Sequence, residues 1–319
     1  MYPLLLKPPV KDYLWGGTKL KTEYGLETEK QIAAEGWMLS CHKDGSNVVL
    51  NGKYKGRTLP EVLEIWGDEA LGKNASRFEY FPILIKLIDA KDKLSVQVHP
   101  NDEYALKNES EYGKTEMWYV VDCDEGAELI YGFNREVSKE EFEQRIKDNT
   151  LPEICNYVPV KKGDVFFISA GTLHAIGEGI LIAEVQQNSN TTYRVSDYGR
   201  LGADGKPREL HIDKALDVTE RKVADIPYGD VGKEDNTSFG SVRDLAECEF
   251  FTSKIISLNS ETEIFCKESF ISIIILEGAI ILKYDGCEFS ATKGSSIFIP
   301  ASFKTTIEGK AEILYSTVI

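Results

Sequence analysis

In the segment LSVQVHP (94–100), residues two apart share one face of an extended strand. Ser95, Gln97 and His99 therefore project together, while Val96 and Val98 point the other way. The same spacing in KTEMWYVV sets Lys114 beside Glu116, with Trp118 following on that side. A further imidazole, His174, closes the run GDVFFISAGTLH (163–174) just after a turn signal. An interior holding Gln97, His99, Glu116 and His174 is costly to bury unless something satisfies those groups. A divalent cation does so: two imidazoles, one carboxylate and one amide oxygen suit a single zinc ion and leave room for water or substrate. These ligands carry one negative charge between them, so the ion stays net positive and acts as a Lewis acid. The plainer alternative is that His99, ahead of Pro100, caps a strand and that Glu116 merely pairs with Lys114.

Short β-branched and aromatic runs broken by Gly, Pro, Asn and Asp must carry these residues: FPILIKLID, LSVQVHP, TEMWYVV, VFFISA, ILIAEVQ, ISIIILEG, AIILKY and SIFIPA. They read as strands of an all-β architecture. Helical signals are few. Thr58 with Glu61 forms a capping-box pattern ahead of VLEIW and a stop at Gly67, Ser138 with Glu141 repeats it ahead of Phe142 and Ile146, and a third helix starts at Asn101 or Asp102. The polar stretch ADIPYGDVGKEDN (224–236) reads as a linker, which divides the chain into an N-terminal catalytic domain, 1–235, with short helical insertions and a C-terminal domain, 236–319. A repeat supports two domains of one design. Gly163 to His174 and Gly294 to Thr305 share a glycine, an apolar strand and a second turn, with Thr305 where the first copy has its histidine. The pattern resembles the second motif of the cupin superfamily, which implies two cupin barrels, each a double-stranded β-helix or jelly roll. All four histidines (His42, His99, His174, His211) lie in the first domain, so the second lacks metal ligands and the chemistry belongs to the first.

Composition narrows the function. With 319 residues, 42% hydrophobic and 28% charged, the chain is neither collagen-like nor disordered. No run approaches the roughly 18 to 20 apolar residues of a membrane span, and a net charge of -15 argues against a nucleic-acid partner. Six scattered cysteines with no CxxC read as reduced thiols, so the expected location is the cytoplasm. Oligomeric state and the metal used in the cell stay open.

The strings LSVQVHPN (94–101), KTE (114–116), GTLHA (171–175) and NSNTTYR (188–194), with DYLWGG (12–17) near the start, closely resemble type I mannose-6-phosphate isomerases of the short bacterial form. The resemblance is specific over about residues 5 to 210 and looser beyond. It implies a zinc enzyme that interconverts mannose 6-phosphate and fructose 6-phosphate, a small-molecule sugar phosphate being its partner. Its metal ligands fall on Gln97, His99, Glu116 and His174, its catalytic arginine on Arg194, and rival acid-base residues on Glu184 and Lys114. Lys86, which interrupts an apolar strand, and Ser95 fall on substrate-binding positions. One departure is that some members carry Asp four residues before the arginine, where this chain has Asn190, so a ring-opening role for that Asp does not transfer.

Aldose-ketose isomerisation removes a proton α to a carbonyl and returns it to the neighbouring carbon through an enediolate, so it needs one base and a fixed positive field over two oxygens. A guanidinium does not give up its proton, which casts Arg194 as stabiliser or phosphate clamp and leaves Glu184 or Lys114 as base. Like charge beside zinc lowers a lysine's pKa toward neutrality and lowers a carboxylate's away from it, which tilts toward Lys114 without deciding. Two other readings stand. An iron-dependent cupin dioxygenase would use two histidines and a carboxylate, though Gln97 occupies a place where many carry another histidine. A non-catalytic sugar-phosphate-binding bicupin would be expected to carry a DNA-binding or docking extension, and none is legible. His42, His211 and the four tryptophans are read as surface or packing residues.

Overall fold

The structure, a computed structural model, describes residues 1–202 and 205–319. The chain packs as two units, one formed by Tyr13–Gly17 with Ile88–Asp230 and the other by Met1–Asp12, Thr18–Leu87 and Val231–Ile319.

The first unit carries the candidate ligands on β1 (Val96–Val98), β2 (Glu116–Cys123), β3 (Glu128–Phe133), β4 (Cys155–Pro159), β5 (Val165–Ile168), β6 (His174–Ala175), β7 (Ile180–Gln187) and β8 (Tyr193–Ser196). Five of these make a sheet in the order β4-β3-β6-β1-β8, while β5, β2 and β7 adjoin in that order in a second sheet. Alternation along β1 and β8 sends Val96, Val98, Tyr193 and Val195 into an apolar core. Helices α1 (Asp102–Asn108), α2 (Lys139–Lys147) and α3 (Ile212–Val218) flank these strands. Phe142 and Ile146 of α2 and Ala215 and Leu216 of α3 complete the core, so this sheet face is sealed. The opposite face is left to Gln97 and Arg194. The capping signals hold: Asn101 accepts from the Tyr104 amide and Ser138 from that of Glu141. At Ser138 the box is only half made, because the Glu141 carboxylate turns to Arg135 at 2.6 Å. The sequence gives no comparable signal for α3.

The second unit holds a ten-stranded sheet, with a core rich in isoleucine that includes Ile271, Ile273, Ile275, Ile297 and Ile313. Its make-up differs from the two consecutive domains expected. One boundary between the units falls between Asp230 and Val231, and the opening strand Leu4–Lys7 pairs antiparallel with Ser296–Ile299, so most of the first 87 residues pack with the C-terminal strands. Part of the linker itself, Glu234–Thr237, is a strand paired with Gly240–Glu247. ISIIILEG and AIILKY are one strand, Ile271–Tyr284, because a bulge between Ile275 and Glu277 and a left-handed Gly278 bend it without ending it. The sheets are open rather than closed into barrels.

The repeat survives in geometry. Gly171 and Ser302, eight residues after Gly163 and Gly294, both adopt left-handed φ (89° and 60°), and His174 and Thr305 each open the next strand. Glycine takes this conformation freely. Serine holds it at some cost, in the copy that presents no imidazole. Among the described residues no helix is long and apolar enough to cross a membrane.

Candidate metal centre and active site

Antiparallel pairing puts directly opposite residues on one face. His174 on β6 lies opposite Gln97 on β1, and Gln97 lies opposite Arg194 on β8, so three strands present a polar row. Across the second sheet Glu184 on β7 faces Trp118 on β2, two residues along from Glu116. The two rows meet: His174 Nε2 is 3.4 Å from Glu116 Oε1, and His99 Nε2 is 3.8 Å from Glu116 Oε2. One ligand atom from each of His99, Glu116 and His174 falls within 4.8 Å of the others, and all three residues are buried.

The hydrogen bonds fix what these rings offer. His99 Nδ1 lies 3.0 Å from the Thr191 carbonyl oxygen and His174 Nδ1 lies 2.8 Å from that of Thr172. A carbonyl only accepts, so each Nδ1 carries the proton and each Nε2 is left with a lone pair. Those two Nε2 atoms are 3.1 Å apart and share their space with a carboxylate. Burial pushes the His174 imidazole down to about 3, which keeps the ring neutral at physiological pH. Gln97 approaches His174 Nε2 at 3.3 Å and can present either its N–H or, once flipped, its carbonyl oxygen. Several acceptors converging without bulk water is the donor set of a cation site, and the residues present fit a divalent metal.

Lys114 meets the same cluster, with Nζ 2.6 Å from Glu116 Oε2, 3.1 Å from His99 Nε2 and 3.7 Å from Glu184 Oε1. Two carboxyl groups, those of Glu116 and Glu184, thus face one lysine. Glu184 Oε2 accepts from Trp118 Nε1 at 2.9 Å, and the Trp118 ring stands edge-on to His174. Trp118, read from sequence as packing, therefore also orients a candidate base. Its indole N–H is the signal that could have revealed this, since a buried tryptophan seeks an acceptor.

Arg194 donates from Nη1 to the Glu209 carbonyl at 2.9 Å. Burial and the neighbouring Arg208 lower its pKa, but a guanidinium remains a cation. His211, also read as packing, brackets the Arg194 backbone. Its Nδ1 accepts from the Arg194 amide at 3.1 Å and its amide donates to the Arg194 carbonyl at 2.8 Å. At Asn190 the backbone amide donates to Glu111 Oε2 at 3.1 Å, and the Thr191 hydroxyl donates to the same oxygen at 3.2 Å. Ser95 is buried immediately ahead of β1, two residues before Gln97. Lys86, in the other unit, has Nζ 3.9 Å from Glu35 Oε2, so an anion would compete with that carboxylate for it.

Asp197 holds two further cations. It accepts from Arg208 Nε and Arg200 Nη2, both at 2.7 Å. Burial raises its carboxyl, but these guanidiniums outweigh that and hold it below its ordinary 3.8. A depressed carboxylate stabilises the fold above its unfolded pKa and loses that contribution as pH falls through the folded one. Asp197→Asn should therefore cost about 1–2 kcal/mol at pH 7, and the gap to wild type should shrink by pH 3, as read from urea midpoints at the two pH values.

Fold and site together define a cupin-type protein with a buried His-Glu-His set that could hold a metal. Family comparison carries this further. Residues 4–130 match the catalytic domain of type I phosphomannose isomerases, and residues 241–318 match the mannose-6-phosphate isomerase cupin domain. The mannose-6-phosphate isomerase ManA of Bacillus subtilis is 39% identical over 318 residues, 98% of each chain, and that of Streptococcus mutans is 36% identical over 98% of each. A crystal structure of the mannose 6-phosphate isomerase from Bacillus subtilis superposes with a TM-score of 0.90 at 36% identity, covering 99% of both chains. The chain belongs to the type I phosphomannose isomerase family.

Proposed function

We propose that this protein interconverts D-mannose 6-phosphate and D-fructose 6-phosphate in the cytoplasm, with one zinc ion per chain held by Gln97, His99, Glu116 and His174. The observation that carries the reading is the pair of facing Nε2 lone pairs beside Glu116. Family membership supports the choice of reaction. When bound, the ion supplies a Lewis-acid field over the sugar's two adjacent oxygens.

The remaining work falls to side chains. A base takes the proton from C2, the C–H electrons form the C1=C2 bond, and O1 becomes an oxyanion. Return of that proton to C1, with the O2 proton passing to O1, leaves the ketone at C2 and a hydroxyl on C1. We assign the base to Glu184. Trp118 anchors one of its oxygens and Lys114 faces the other, whereas a neutral Lys114 would no longer offset the charge of Glu116 at 2.6 Å. Arg194, opposite Gln97 in register, stabilises the developing enediolate charge. Ser95 is assigned to the phosphate end. Elemental analysis of the purified protein, joined to a coupled hexose-phosphate isomerase assay with and without chelator, tests the reading. Near-stoichiometric zinc and chelator-sensitive turnover are expected, and full turnover in metal-free protein would contradict it.

A further inference from the structure

We infer that Gln186 is a specificity residue, whose amide oxygen accepts a hydrogen bond from a non-reacting hydroxyl of the substrate. This rests on the isomerase reading above. Gln186 lies directly opposite Glu116 in the pairing of β7 with β2, and two residues beyond Glu184, so its side chain leaves the sheet on the face of both carboxylates. It is fully buried, at 0% exposure. Its Nε2 donates to the carbonyls of Gln187 and Ser189, each at 2.7 Å. Those two bonds fix the orientation of the amide, since a flip would set its oxygen against two other oxygens. Oε1 is therefore a rigid acceptor, and among the described residues no donor reaches it.

The neighbours cannot supply that donor. Glu116 and Glu184 are acceptors, and the Lys114 ammonium is engaged by Glu116 and His99. A buried acceptor left unmet is costly, so a ligand that brings a donor is favoured. An uncharged acceptor suits a neutral hydroxyl. The reacting oxygens of the sugar are those on C1 and C2, and the oxygen on C5 closes the ring, which leaves the hydroxyls on C3 and C4 to be read. A site built to bond a hydroxyl rejects an analogue lacking it, because the acceptor is then desolvated for nothing.

The test compares kcat/KM for mannose 6-phosphate and its 3-deoxy and 4-deoxy analogues in wild type and Gln186→Met, with bound metal measured in both. Wild type should lose about 10–100-fold on one analogue. Gln186→Met should lose a similar factor on mannose 6-phosphate, keep its metal, and show no further loss on that analogue. Wild type treating both analogues within about threefold of the parent would overturn the assignment, and that arm decides even if the variant fails to fold. Equal loss on all three substrates in the variant would also overturn it, leaving Gln186 as a brace for the loop at Ser189. No wild-type turnover of mannose 6-phosphate itself would instead sink the reaction, and this inference with it.

Discussion

Glu116→Gln should bring bound metal from about one ion per chain to near zero and reduce turnover by at least about a thousandfold, by removing the one anionic ligand of the set. Glutamine keeps the shape of the side chain and loses its charge. The carboxylate stands 3.4 Å from His174 Nε2 and 2.6 Å from Lys114, at 0% exposure, so no solvent takes its place. Removing one partner of a buried ion pair costs about 3–5 kcal/mol, because the other charge stays buried uncompensated. The variant should therefore also melt earlier, with Lys114 left to Glu184 at 3.7 Å. Metal content by elemental analysis, turnover and a melting curve check the three effects together. Retained metal with lost turnover would place Glu116 in catalysis rather than ligation.

Arg194→Ala should separate chemistry from metal binding. Turnover is expected to fall about 100- to 1000-fold, the range for removing one donor from developing negative charge, while metal content stays at the wild-type level. The arginine sits opposite Gln97, is anchored through the Glu209 carbonyl and the His211 backbone bracket, and is not a member of the His99, Glu116 and His174 cluster. Arg194→Lys keeps a positive charge but not the planar fork, and should recover only part of the loss. Simultaneous loss of metal in Arg194→Ala would show that the residue maintains the site rather than acting on substrate.

Much of this centre was legible because β-strands alternate with a period of two. That rule alone put Gln97 and His99 on one face and joined Lys114 to Glu116, and the structure brings all four together. His174 was found through the repeat, whose turn at Gly171 aims it inward. Family resemblance, not pattern, supplied Arg194 and Glu184. What stayed hidden depends on register between strands distant in sequence: Arg194 opposite Gln97, and Gln186 opposite Glu116. No local signal encodes such pairings. The same limit explains the units, since nothing in LLLK announces that it will pair with SIFI nearly 300 residues later. Trp118 and His211 were read by their bulk, whereas their ring nitrogens do the positioning.

The proposed function stands on two imidazoles and a carboxylate from separate segments meeting at one cation. Anomalous scattering from crystals of the zinc-loaded protein, collected on both sides of the zinc absorption edge, tests it most directly. A single strong peak is expected at about 2.0–2.2 Å from His99 Nε2, His174 Nε2 and a Glu116 oxygen. A peak elsewhere, or none there in crystals of a fully active preparation, would contradict it.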